Sequence, residues 1–176
     1  IAVHSAVMSS FKTTGQRCVS AERLIVHTDV YETFKERFVE VAEAVAVGDP
    51  LDEGTFMGPL IEAEHREKVT AYNDLAREEG ATVLVDRTDL DDAEVPEGHE
   101  AGHWIGPFVY EADPDADLRC TSEEVFGPHV ALLEYEGGIE RAVEIQNDTE
   151  YGDQRLQYPR TALRRDVLVR QRFESE

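Results

Sequence analysis

The 176-residue sequence is poor in several residue types. It has three lysines (Lys12, Lys35 and Lys68), two cysteines, two methionines and one tryptophan. Two cysteines, Cys18 and Cys120, cannot make a disulfide framework in a chain of this size, so a reducing cytoplasm fits. No apolar run approaches the roughly 20 residues that a membrane span needs. No signal peptide is expected, and the chain opens on Ile1 rather than methionine. It is therefore expected to start inside a longer protein or to have been processed. Positive charge is also scarce: 17 basic residues face 38 acidic ones, a net −21. Such a surface repels phosphate backbones and anionic membranes, which excludes nucleic acid and lipid as partners.

What the chain does have is a normal hydrophobic share, 41%, and 8% aromatics, enough to bury a core. High acidity with little lysine on such a chain points to a salt-loaded cytoplasm of the kind found in halophilic archaea. There the Debye length shrinks to about 3 Å at molar salt and self-repulsion is screened. The charge is not evenly spread. Residues 1–151 carry 34 acids against 11 bases, a net −23. Residues 152–176 carry six arginines against four acids, a net +2. Leu163, Val167 and Leu168 sit at helical spacing, so a basic terminal helix is one reading. The other is that this tail is foreign to the domain before it.

Hydrophobic spacing predicts a helix over 1–12 with Ile1, Val7, Met8 and Phe11 on one face, broken by Thr13–Gln16. A buried strand, Arg23–His27, follows. A helix capped by Thr28 or Asp29 then runs to about Ala46, burying Phe34, Phe38, Val41 and Val45. Gly48-Asp49-Pro50 stops it, and 51–60 form a loop. Glu62–Glu79 is a second amphipathic helix with Val69, Tyr72 and Ala76 inward, ended by Gly80. Strands are expected at Thr82–Val85, Trp104–Tyr110 and Val130–Tyr135, and a short helix at Ile139–Gln146. Strands alternating with helices predict an α/β fold, a mostly parallel sheet flanked by helices.

Two metal templates match by spacing alone. His99-Glu100-Ala101-Gly102-His103 fits the zinc-protease pattern, but that chemistry needs a helix, and Pro96, Gly98 and Gly102 argue for a loop. Asp113, Asp115, Asp117 and Glu124 fit a calcium loop, yet Leu118 stands where glycine is required. No metal is expected. Cys18, after a glycine turn and before a buried strand, is either a structural cysteine or a thiol facing a cleft with Arg17 favouring the thiolate. Glu123-Glu124-Val125-Phe126-Gly127-Pro128 is either a charged loop or a carboxylate and ring that pin a polar ligand.

The segments Phe11-Lys12-Thr13-Thr14-Gly15-Gln16-Arg17-Cys18, Arg23–His27, Val47–Pro50, Met57–Ile61, Glu79–Ala81, Gly106–Val109, Glu124–Pro128 and Asn147–Gly152 together resemble the aldehyde dehydrogenase superfamily. The resemblance covers 1–152 almost without a gap. It implies that Cys18 is the nucleophile attacking an aldehyde, with its backbone N–H as half of an oxyanion hole. It implies that Glu124 accepts hydrogen bonds from the nicotinamide ribose of NAD or NADP, and that Phe126 lies beside that ribose. Gly15 and Gln16 would shape the turn that presents the thiol. The family's general-base glutamate and oxyanion asparagine have no match here, nor does its Gly-x-Gly-x-x-Gly-type nucleotide unit. The expected organisation is a partial catalytic domain over 1–152 and an Arg-rich tail over 153–176 that departs from the family, as a reading-frame change would produce. The implied enzyme is a cytoplasmic, homo-oligomeric oxidoreductase acting on a small-molecule aldehyde. Two other readings stand beside it: an inactive remnant or docking fragment, and a cysteine hydrolase using His4 or His27 as base.

Overall fold

The structure is a computed structural model and describes residues 1–91, 94–149 and 156–158. A helix, α1 (Ala2–Phe11), leads through a tight turn into β1 (Arg23–His27) and α2 (Thr28–Glu43). Next come α3 (Ala63–Glu78), β2 (Thr82–Asp86), β3 (Phe108–Ala112), α4 (Arg119–Ser122), β4 (His129–Tyr135), α5 (Ile139–Asn147) and β5 (Leu156–Tyr158). The sheet order is β2-β3-β4-β1-β5. β2 pairs antiparallel with β3 at one edge, and every other pairing is parallel. The fold is therefore the expected α/β layer with a mostly parallel sheet.

Alternation along the central strands builds two faces. Leu24 and Val26 of β1, Val130 and Leu132 of β4 and Val109 of β3 pack against Phe11 of α1 and Phe34 and Phe38 of α2. Ile25, Ala131, Leu133, Phe108 and Tyr110 pack on the other side, against Ala76 of α3 and Ala142 and Ile145 of α5. Helices on both faces explain why β1 and β4 read as continuous apolar runs.

Several elements differ from the sequence reading. The strand expected from Trp104 begins at Phe108, because Gly106 donates its N–H to Arg87 and Pro107 has none to give to a ladder. The start of α2 is capped by His27 rather than Thr28 or Asp29, its Nδ1 accepting from the Asp29 N–H at 3.1 Å. That leaves the ring proton on Nε2, which donates to the Gly137 carbonyl. The buried stripe of α2 is Tyr31, Phe34, Phe38 and Ala42, and Val41 faces solvent. On α1, Ile1 and Met8 are exposed while Ala2, Ala6, Val7, Ser10 and Phe11 are buried. α4 carries no apolar periodicity to announce it: the Glu79 carboxylate accepts from the N–H groups of Arg119 and Cys120 at its start. The expected tail and the end of the last family-like segment lie outside the described residues, apart from the backbone of β5, which pairs with Leu24–Val26.

Candidate functional site

Three of the family-like segments, the cysteine turn, Met57–Ile61 and Glu124–Pro128, meet at the amino ends of β1 and β4, whereas Glu79–Ala81 lies at the carboxyl ends. After Phe11 the chain makes a tight turn in which Thr13, Thr14 and Gly15 are all left-handed, with φ of 62°, 59° and 69°. Two β-branched residues in that region are strained, and the surroundings must hold them there. Thr14 Oγ1 donates to the Gly58 carbonyl at 2.8 Å. Gln16 Oε1 accepts from the Ile61 N–H at 3.0 Å. The Met57–Ile61 segment thus clamps the turn from outside. Gly15 is required twice over: its φ is positive, and a Cβ there would lie 2.2 Å from the Gly127 carbonyl oxygen.

Cys18 follows this turn and is exposed, as is Arg17 beside it. That exposure does not fit the reading of Cys18 as a buried structural cysteine. The chain is fastened again just beyond, where Ser20 donates to the Arg17 carbonyl and Ala21, buried, donates to the Ser9 carbonyl. Cys120 is the opposite case. It is buried, and burial pushes its thiol up to about 12, so it stays protonated and unreactive.

The close approach of Gly15 and Gly127 brings Glu123–Pro128 against the cysteine turn. Glu124 is exposed there and Phe126 is half-buried. Phe126 is itself left-handed, with φ 63°. One face of α3 holds the segment. His65 Nε2 lies 2.7 Å from the Phe126 carbonyl, Lys68 Nζ donates to the Glu124 carbonyl at 3.0 Å, and the Tyr72 hydroxyl donates to the Glu123 carboxylate. Arg119, then Tyr72, lowers the Glu123 carboxyl to about 2. Val69, on the same face, fills the space a Gly127 side chain would need. From the other side Glu22 accepts the N–H of Phe126 at 2.6 Å and that of Val125 at 3.3 Å.

Sequence reasoning singled out Cys18, Glu124, Phe126, Gly15 and Gln16, and the structure brings their segments together. It missed Glu22, His65 and Lys68. The α3 signal was readable, since 65, 68 and 72 share a helix face. Glu22 carried only the weak signal of an acid at the mouth of an apolar strand. The candidate bases for a cysteine hydrolase are not assembled. His27 lies at the carboxyl end of β1, across the strand from Cys18, and is committed to capping α2. His4 is exposed on α1. His99–His103 runs through turns, with His103 in a bridge to Leu60, so its two imidazoles do not share a helix face. In the calcium-like run, Asp115 is paired with Arg141 and Asp113 accepts from the Asp115 N–H. Among the described residues no group of His, Cys, Asp and Glu could hold a metal, and no helix is long and apolar enough to cross a membrane. A groove at the carboxyl ends of the strands, lined by Tyr31, Glu111, Glu134 and Tyr135, contains none of the cysteine-turn or Glu124–Pro128 residues.

Comparison with known proteins points to one family. The model of the aldehyde dehydrogenase family matches residues 1–156. Betaine aldehyde dehydrogenase of Brucella anthropi is 37% identical over 153 residues, covering 86% of this chain and 30% of the relative. The crystal structure of HpcC from Thermus thermophilus superposes with a TM-score of 0.79 at 32% identity, covering 90% of this chain and 30% of that one. Betaine aldehyde dehydrogenase from Staphylococcus aureus, solved with NAD+ and a mercaptoethanol-modified cysteine, superposes at 0.77 with 30% identity, covering 90% and 31%. The chain thus spans about 30% of the length of these relatives. With a family model matched over most of its length and these relatives aligned over nearly all of it, the chain belongs to the aldehyde dehydrogenase family.

Proposed function

We propose that this chain carries the nucleophile and the ribose-facing segment of an NAD(P)-dependent aldehyde dehydrogenase. The observation behind this is the contact of Gly15 with Gly127, which sets an exposed cysteine beside the segment of Glu124 and Phe126. The Cys18 thiolate adds to an aldehyde carbonyl to give a thiohemiacetal, and the Cys18 N–H donates to the developing oxyanion. Nicotinamide, when bound, supplies the hydride acceptor. Water then cleaves the Cys18 thioester, releasing the carboxylic acid and restoring the thiol. The site's residues fit such a cofactor: an exposed carboxylate can accept from two ribose hydroxyls, and a ring fixed by its backbone can limit where the nicotinamide ribose lies. The NAD+ of the Staphylococcus aureus relative supports that fit.

Turnover needs parts beyond those matched here, so the isolated chain is expected to give no cofactor reduction with NAD+ or NADP+ and an aldehyde, even in molar salt. In the longer enzyme that contains this segment, Cys18→Ser is expected to abolish aldehyde-dependent NAD(P)H formation. Retained turnover in that variant would overturn the assignment. The parent is proposed to be a cytoplasmic homo-oligomer of a salt-loaded cell, and 153–176 to be a tail read out of frame. The abrupt change from net −23 to net +2 supports that boundary. Resequencing the locus tests it: an intact frame with the same tail in sister genes would refute it.

A further inference from the structure

Phe126 is a large side chain in a left-handed backbone conformation, and its two peptide groups are gripped from opposite sides. The grip on its N–H comes from Glu22, four residues after Cys18. The same carboxylate takes the Val125 N–H, and the Glu22 main-chain carbonyl accepts from Ala131 at 2.8 Å, the first rung between β1 and β4. Glu22 therefore clasps both arms of the bend at Gly127-Pro128. We propose that Glu22 is a positioning residue: its carboxylate locks Val125–Phe126 onto the Cys18 turn, and loss of its negative charge loosens that lock. The lock stands on geometry. Its bearing on the nicotinamide ribose rests on the reading of Phe126 given above.

The surroundings make this carboxylate responsive near neutrality. Burial is the main influence and pushes Glu22 up to about 7, against the opposing pull of the Phe126 and Val125 N–H groups. Glu124 adds repulsion and Lys68 a weaker attraction. Tyr110 of β3 feels the Glu22 charge. The neighbouring Arg23 turns away, donating to the Ile145 carbonyl. His65 lies on the far side of Phe126, at its carbonyl. Charge-assisted hydrogen bonds are roughly twice as strong as neutral ones, so protonation of Glu22 weakens both amide contacts together.

The test is a pH titration of the 176-residue chain by NMR, with glutamate labelled at the side-chain carboxyl. The Glu22 carboxyl carbon is expected to titrate at about 7. The Phe126 and Val125 amide protons should move upfield on acidification with the same midpoint. Glu22→Gln should remove that transition, and His65→Gln should keep it. A Glu22 midpoint at the ordinary glutamate value, amides that do not follow it, or a transition that survives Glu22→Gln would each overturn the proposal. If Glu22→Gln fails to fold, the shared midpoint in the unsubstituted chain and in His65→Gln still decides. No cofactor or aldehyde enters the measurement, so its outcome is separate from that of the enzyme assignment.

Discussion

The cysteine turn and the interior under β3 and β4 are both polar, but they are built on opposite terms. At the turn, Thr13, Thr14, Gly15 and Phe126 are left-handed, the thiol is exposed, and fastening comes from segments far away in sequence. In the interior, His129 is fully buried and donates through Nδ1 to Asn73 Oδ1 at 2.7 Å. Asn73 donates in turn to Thr88 Oγ1, and the Tyr110 hydroxyl, which donates to the Cys120 carbonyl, lies 3.1 Å from His129 Nε2. Phe108 stacks on the imidazole with ring centroids 5.5 Å apart. None of these interior residues is left-handed, and their side-chain contacts tie α3, β3 and β4 together. The turn concentrates strain and exposure where chemistry is proposed. The lesson is that strain and exposure gather at one edge of a scaffold whose interior under β3 and β4 is free of left-handed residues.

The two regions also titrate in opposite senses. Burial holds His129 down to about 4, so its contribution to stability is present above the ordinary histidine value and is lost as pH falls toward 4. Glu22 is raised, so its contribution is present below the ordinary glutamate value and is lost as pH rises through about 7. Each is worth about 3 kcal/mol over its full range. Between the ordinary glutamate and histidine values they oppose each other, and the unfolding free energy should show little slope from this pair. His129→Gln should uncover a decline as pH rises, and Glu22→Gln an increase, both read from urea unfolding at several pH values. Asn73→Ala leaves the His129 Nδ1–H without its acceptor and is expected to lower stability by about 2 kcal/mol in urea, while Cys18 stays open to thiol reagents. Gly15→Ala should cost about 1–2 kcal/mol, and it should also shift the Phe126 amide resonance, because the new Cβ meets the Gly127 backbone. The smallest effect is expected of Cys18→Ser, within about 0.5 kcal/mol, since the side chain is exposed.

Much of the scaffold was legible because it is written in local periodicity. β1 and the Phe34–Phe38 stripe of α2 follow from apolar spacing, and the cysteine and Phe126 segments from their motifs. Legibility failed where a third party decides the outcome. His27 caps α2 because β1 ends with its imidazole over the Asp29 N–H. β2 joins β3 antiparallel at the sheet edge, a direction that apolar spacing within either strand does not specify. Glu22 acquires its partners only when residues more than 100 positions later fold back upon it. Periodicity carries no such information.

The contrast between the two cysteines gives the most direct test of a presented nucleophile on a rigid scaffold. The native chain is exposed to an excess of a thiol reagent, and adducts are located by mass spectrometry over time. One rapid adduct is expected, on Cys18, with Cys120 modified only at the rate of unfolding and on a par with Cys18 in denaturant. Equal labelling of Cys120 in the native chain, or protection of Cys18, would contradict the account.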